Sequence, residues 1–337
     1  MQPTYEPARL HASTRASNTR VGGYPAALDA AAFSPSAWSL GAELSSRVSV
    51  ATIIRESEPL ARKTTLRVGG PADIFVEPAS ERDLSEAILF CSQRALPFFI
   101  LGRGSNLLIK DKGFRGMVIS MNHEFFSRIA VEGQAMSCGA GTKLKSVAME
   151  ARRQNITGFE FLEGIPGTVG GALRMNAGAM GGATFDLVRS VRMMDFSGRV
   201  SEKKPAEIPA SYRNCPLLKS HVAISAQLGG RAGLRENIET TLREFCQKRW
   251  KSQPAAPSAG CIFKNPATIS AGKLIDELGL KGTRVGGARV SAEHGNFIVN
   301  DESATAANVL ELIDIVRLRA RAERGVELET EVEIIGE

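Results

Sequence analysis

Cysteine is scarce: five thiols (Cys91, Cys138, Cys215, Cys246 and Cys261) in 337 residues, odd in number and with no C-x-x-C pair. That pattern argues against a disulfide framework and a thiolate metal centre, and points to reduced thiols in a cytoplasmic protein. Histidine is scarcer still, at four residues without an H-E-x-x-H, so no metal site is expected. No apolar run reaches about 18 residues, which leaves nothing to span a membrane as a helix. Lysine and arginine exceed the acids by only +6 and never form a block with interleaved aromatics. Nucleic acid is therefore the poorer partner and an anionic small molecule the better one.

Glycine is abundant where it matters. Residues 158–182, GFEFLEGIPGTVGGALRMNAGAMGG, read as too glycine-rich for a helix or strand interior and too apolar for a linker. Gly164, Gly167, Gly170, Gly171 and Gly178 permit close approach of a ligand to the backbone, Pro166 stiffens a turn, and Asn176 can orient backbone or ligand groups. Amides gathered in this way suit phosphates or an electron-rich ring. A tight turn between two strands would account for two or three of these glycines, but not for all of them.

A second small-residue turn follows a buried strand at 97–101: Gly102, Arg103, Gly104, Ser105, Asn106, Leu107. Strand then G-x-G invites a dinucleotide-fold reading, but the third glycine is missing and LLIKDKG does not continue as a helix. Paired with the first loop, the turn suggests a two-sided flavin dinucleotide site.

The rest of the chain is α+β rather than doubly wound. Residues 1–48, rich in Ala, Ser and Arg, read as a low-complexity extension; residues 49–228 and 229–337 read as two domains. Strands are expected at 72–77, 97–101, 116–121, 134–138, 188–195 and 221–228. Ser80, Thr142, Ser270 and Thr305 are expected to cap helices, and Gly279 and Gly325 to stop the last two. The chain closes on an alternating segment with Val326, Leu328, Val332 and Ile334 on one face and Glu327, Glu329, Glu331 and Glu333 on the other.

Taken together, TTLRVGGPADIF (64–75), LGRGSNLLI (101–109), residues 158–182, SYRN (211–214), SAGCIFKNP (258–266), AGKLIDELGLKG (271–282) and LETEVEIIG (328–336) resemble the UDP-N-acetylenolpyruvoylglucosamine reductase family, in family order from about Val50 to the C-terminus. The resemblance implies an FAD lobe of the vanillyl-alcohol-oxidase type and a C-terminal substrate domain. It implies non-covalent FAD, NADPH as reductant, and an enolpyruvyl ether of UDP-N-acetylglucosamine as substrate, in a monomer or weak homodimer. Gly102, Arg103, Gly104, Ser105, Asn106 and Leu107, with Gly164, Ile165, Pro166, Gly167, Thr168, Gly170, Gly171, Asn176 and Gly178, would hold the cofactor. An oxidase of the same fold is the enzyme-class alternative. It often carries a covalent flavin on a His or Cys beside the phosphate turn, and residues 101–109 contain neither. A binding module with lapsed catalysis is the other alternative, opposed by retention of Arg213, Glu331 and Cys261.

By the same resemblance Arg213 holds the enolpyruvyl carboxylate, a task suited to a planar fork. Glu331, which nothing but the LETEV match selects among four glutamates, stabilises the enol-like intermediate. Cys261 stands where Ser is commoner; a thiol can also donate a proton. An unperturbed thiol ionises near about pH 8.5; burial beside Glu331 would push that up and Arg213 would pull it down. Tyr212, Arg249, Lys264, Asn265 and His294 match substrate positions. Met180 and Ala183 depart from the common aromatic and acid, and the long tyrosine-bearing insertion of one subtype is absent.

Overall fold

The computed structural model describes residues 39–337. Most of the extension expected over 1–48 lies outside the described residues, but its last part is folded. The Ser39 hydroxyl accepts from the Ala42 amide and caps helix α1 (Leu40–Ser45), whose Leu44 is buried in the largest core.

Four strands form the first sheet. Ile53–Pro59 runs antiparallel to Pro71–Glu77, which lies parallel to Phe114–Ser120, itself parallel to Phe98–Leu101. Helix α2 (Glu81–Gln93) begins where the sequence places it: Ser80 Oγ accepts from the Asp83 amide at 3.1 Å. Its stripe of Leu84, Ala87, Ile88 and Cys91 is buried. The second sheet is five-stranded and antiparallel, ordered Val200–Lys203, Val188–Asp195, His221–Gly229, Ala135–Gly139, Ile129–Glu132.

Helix α3 (Leu144–Arg153) buries its predicted face, but Thr142 does not cap it. The Thr142 hydroxyl donates instead to the Arg128 carbonyl, 3.3 Å away, tying the helix entry to the five-stranded sheet. Within residues 158–182 the structure corrects the sequence expectation, because a short helix α4 (Val169–Met175) forms there. Val169, Ala172 and Leu173 bury one face of it, and the glycines serve packing: a Cβ on Gly170 would sit 3.1 Å from Ala140 Cβ. Helix α5 (Arg235–Ser252) packs against the turn Glu160–Gly164, so the start of the segment read as the second domain lies on the first lobe.

The C-terminal part holds helix α6 (Ala271–Glu277) and helix α7 (Ala306–Arg324) with a four-stranded antiparallel sheet ordered Ser258–Cys261, Phe297–Asn300, Ala288–Val290, Arg284–Val285. Ser270 occupies the N-cap position of α6 without a side-chain bond; Asn265 Oδ1 accepts from the Ala271 amide at 3.0 Å in its stead. Thr305 and Asn308 cap α7 reciprocally, both bonds 3.1 Å, and Gly325 ends it in the left-handed region at φ 64°. Leu66, Val68 and Leu108, from the first lobe, share this domain's core. The last strand, Glu333–Ile335, leaves the domain and pairs parallel with Leu107–Ile109. Among the described residues no helix is long and apolar enough to cross a membrane.

Candidate active site

The two small-residue loops face each other. Gly102 approaches Thr168 so closely that a Cβ there would lie 2.5 Å from Thr168 Oγ1, so an added side chain would displace that of Thr168. Between them runs a cleft walled by Gly102, Arg103, Gly104, Ser105, Asn106 and Leu107 on one side. Ile165, Pro166, Gly167, Thr168, Gly171 and Gly178 form the other side. Arg213, Cys261 and Glu331 also line the cleft.

Three separated segments bring those last residues together. Ser211 and Asn214 bond each other's backbone, amide to carbonyl at 2.8 and 3.2 Å, which presents Tyr212 and Arg213 at the tip of a tight turn with Arg213 at φ 54°. Asn176 braces this turn: its Nδ2 donates to the Ser211 carbonyl at 3.3 Å while its Oδ1 accepts from the Phe185 amide at 3.1 Å. Arg213 Nε then donates to Glu331 Oε1 at 2.7 Å, and its Nη2 reaches the Gly178 carbonyl at 3.5 Å.

Glu331 is placed by the backbone on both sides of it. Its amide donates to the Ile262 carbonyl (2.7 Å), next to Cys261, and its carbonyl accepts from Asn106 Nδ2 (3.0 Å), inside the Gly102–Leu107 turn. The four glutamates of the closing segment therefore do not share one solvated face. Glu327 and Glu329 are 69% and 76% exposed, whereas Glu331 and Glu333 are 13% and 26% exposed and turn into the cleft. The apolar face holds as expected, with Val326, Leu328, Val332 and Ile334 all packed in one core, but a regular strand forms only over Glu333–Ile335 and the glutamates divide between solvent and cleft.

Burial raises the Glu331 carboxyl above its ordinary range, and the Arg213 guanidinium pulls it part of the way back. Burial also pushes the Cys261 thiol up to about 12; the Glu331 charge adds to that rise, while Arg213 and a bond to Asn296 oppose it. The thiol therefore holds its proton throughout neutral and mildly alkaline pH, and the balance left open by the sequence falls on the side of burial.

Several expected residues stand elsewhere. Gly164, Gly170 and Asn176 are off the cleft wall. So are Tyr212, Arg249, Lys264, Asn265 and His294. Tyr212 is 57% exposed, with the Arg213 guanidinium 5.0 Å from its ring centre. Lys264 pairs with Glu329 at 3.0 Å, Arg249 donates to Gln253 at 3.3 Å, and Asn265 serves the start of α6. His294 packs edge-on to Phe297, and burial lowers its pKa. At the departures, Met180 is 40% exposed at φ 52°, and the Ala183 amide donates to the Asp186 carboxylate, 2.8 Å away. Sequence reasoning missed Arg174 and Glu333, which both line the cleft and pair at 2.9 Å. Arg174 was legible as the one basic residue in 158–182. The five cysteines are free thiols, and among the described residues no group of three or more His, Cys, Asp or Glu could hold a metal ion.

The wall fits a flavin dinucleotide. A Cβ on Gly167 or Gly171 would meet no neighbour nearer than 3.6 or 3.7 Å, so the fold's own packing does not demand glycine there; the space they leave belongs to the cleft. An FAD binding domain model matches residues 72–202, and the model of the UDP-N-acetylenolpyruvoylglucosamine reductase C-terminal domain matches residues 253–335. UDP-N-acetylenolpyruvoylglucosamine reductase of Heliobacterium modesticaldum is 44% identical over 84% of this chain and 90% of its own length. The protein of that name from Clostridioides difficile is 40% identical over 84% and 94%. The crystal structure of the Thermus caldophilus reductase superposes with a TM-score of 0.74 at 38% identity, covering 85% of this chain and 99% of that one. With the paired glycine loops, the Arg213–Glu331 contact and relatives alike over most of their length, this chain belongs to the UDP-N-acetylenolpyruvoylglucosamine reductase family.

Proposed function

We propose that the protein reduces the enolpyruvyl ether of UDP-N-acetylglucosamine to UDP-N-acetylmuramate, completing the muramic acid unit of peptidoglycan. It does so in the cytoplasm, with non-covalent FAD and with NADPH as reductant, as a monomer or weak homodimer. The observation that carries this reading is the convergence of Arg213, Glu331 and Cys261 on one cleft wall, with Arg213 and Glu331 in contact at 2.7 Å.

FAD, when bound, supplies hydride transfer from the nicotinamide to one carbon of the enol ether. The protein must then manage the charge that appears on the neighbouring carbon and its carboxylate. Arg213, held at the turn tip by Asn176, offers a guanidinium fork to that carboxylate. Glu331 fixes the fork through Nε and faces the same developing charge. Cys261, protonated at Sγ, gives its proton to the carbanionic carbon and recovers one from solvent. Arg249, Lys264, Asn265 and His294, which lie off the wall, are assigned to the nucleotide end of the substrate, and the exposed Tyr212 beside Arg213 is assigned to substrate as well.

Anaerobic stopped-flow mixing tests the whole reading. NADPH alone should bleach the flavin, and the enolpyruvyl nucleotide should restore its colour, giving ping-pong kinetics. Reduced enzyme that the nucleotide fails to reoxidise would overturn the assignment.

A further inference from the structure

The cleft does not end at the paired loops. A second, smaller depression opens behind them, lined by Met121, Ala140, Leu218, His221, Val222 and Ala223. It shares Ile100, Gly102, Thr168, Gly171 and Arg174 with the cleft, so these five residues stand where the two depressions adjoin, a junction that would serve as a neck. Four of the five are uncharged, which leaves Arg174 as the cation of the neck. Its Nη1 donates to the Leu218 carbonyl and its Nη2 to Glu333 Oε1, both at 2.9 Å. The guanidinium is thus held in place, 17% exposed, with a carboxylate as its counter-charge.

A dinucleotide needs this shape: two chambers for its two ring systems and a narrow joint for the diphosphate between them. The joint must let backbone approach closely, which Gly102 and Gly171 do, and must offset two negative charges. Backbone amides supply partial charge; an arginine supplies a full one and a fork that matches phosphate oxygens. We propose that Arg174 binds the diphosphate of the cofactor at this neck, from the side opposite the Gly102–Asn106 turn, with Glu333 as the counter-charge that moderates its grip. This rests on the reading of the cleft as an FAD site and adds to it a named residue and its counter-charge.

The test is the release of FAD from the yellow holoenzyme, followed as recovery of free flavin fluorescence on dilution at graded salt. Arg174→Gln should weaken FAD retention by about 10- to 100-fold, the range for a lost charge-assisted bond, and should flatten its salt dependence. Arg174→Lys should restore the salt slope and part of the affinity. Glu333→Gln should tighten FAD a few-fold. A loss of packing alone would weaken FAD in the Gln and Lys variants alike and leave the salt slope unchanged, and that result would overturn the proposal. So would an Arg174→Gln holoenzyme that retains FAD as the native one does. If Arg174→Gln fails to fold, the Lys and Glu333→Gln variants decide the matter by their slopes and affinities. Native protein that is colourless and takes up no FAD would sink the cofactor reading itself, which is a separate outcome.

Discussion

Replacing Cys261 probes the chemistry most directly, because burial holds its thiol protonated on the cleft wall. At about 12, the thiol lies roughly four units above a working pH of about 8, so only about one molecule in ten thousand carries the thiolate. The donor form is therefore saturated, and native enzyme should show no alkaline limb from this group below about pH 11. Cys261→Ala should slow substrate-dependent flavin reoxidation by about 10²–10⁴-fold, or about 3–5 kcal/mol of barrier, while NADPH reduces the flavin at its normal rate. Cys261→Ser should keep much of the activity and, with an unionised hydroxyl, a similarly flat alkaline profile. The assay is anaerobic stopped-flow reoxidation of prereduced enzyme across pH 6–10 for the three proteins. An Ala variant as fast as native removes Cys261 from the chemistry. A limb near about pH 8.5 in native enzyme that the Ser variant lacks would instead refute the burial argument, since that is where an unperturbed thiol titrates.

Other perturbations follow from the geometry. Gly102→Ala, whose Cβ would fall 2.5 Å from Thr168 Oγ1, should displace the Thr168 side chain from the cleft wall and lower the flavin content read by absorbance, with its far-ultraviolet circular dichroism unchanged. Asp111 accepts from the Ala306 and Ala307 amides at 2.8 and 2.9 Å and joins the flavin lobe to the start of α7. Asp111→Ala should cost about 1–2 kcal/mol, read as a lowered midpoint in denaturant, because two helix-start amides lose their acceptor. Arg249→Ala should raise KM for the nucleotide substrate with kcat unchanged; a fall in kcat at constant KM would place Arg249 in the chemistry instead.

How far the sequence revealed this site depended on the reach of each signal. Local signals read well: Ser80 and Thr305 cap where expected, and the strand Val188–Asp195 falls on its predicted bounds, because each depends on neighbours a few residues away. Thr142 misled because a distant partner intervened, the Arg128 carbonyl drawing away its hydroxyl; Ser270 holds the expected N-cap position, but Asn265 supplies the side-chain bond. Helix α4 was hidden by Gly170 and Gly171, whose low helix propensity is overridden by tertiary packing: Val169, Ala172 and Leu173 are buried and Gly170 lies against Ala140. Glu331 could not be told from Glu327, Glu329 and Glu333 by alternation. What distinguishes it is a turn 118 residues earlier in the chain, and no local pattern reports that.

The pairing of Glu333–Ile335 with Leu107–Ile109 also has a consequence in time. Asn106 is synthesised 225 residues before Glu331, whose carbonyl its side chain binds. At about 5–20 residues per second, the nascent flavin lobe waits roughly 11–45 s with that strand edge open before its partner emerges. Long-range parallel pairing is a slow step to close. The carboxylate that faces the reaction therefore arrives with the strand that seals the fold, so a ribosome-bound chain lacks a finished reaction chamber until the lobe's exposed edge is covered.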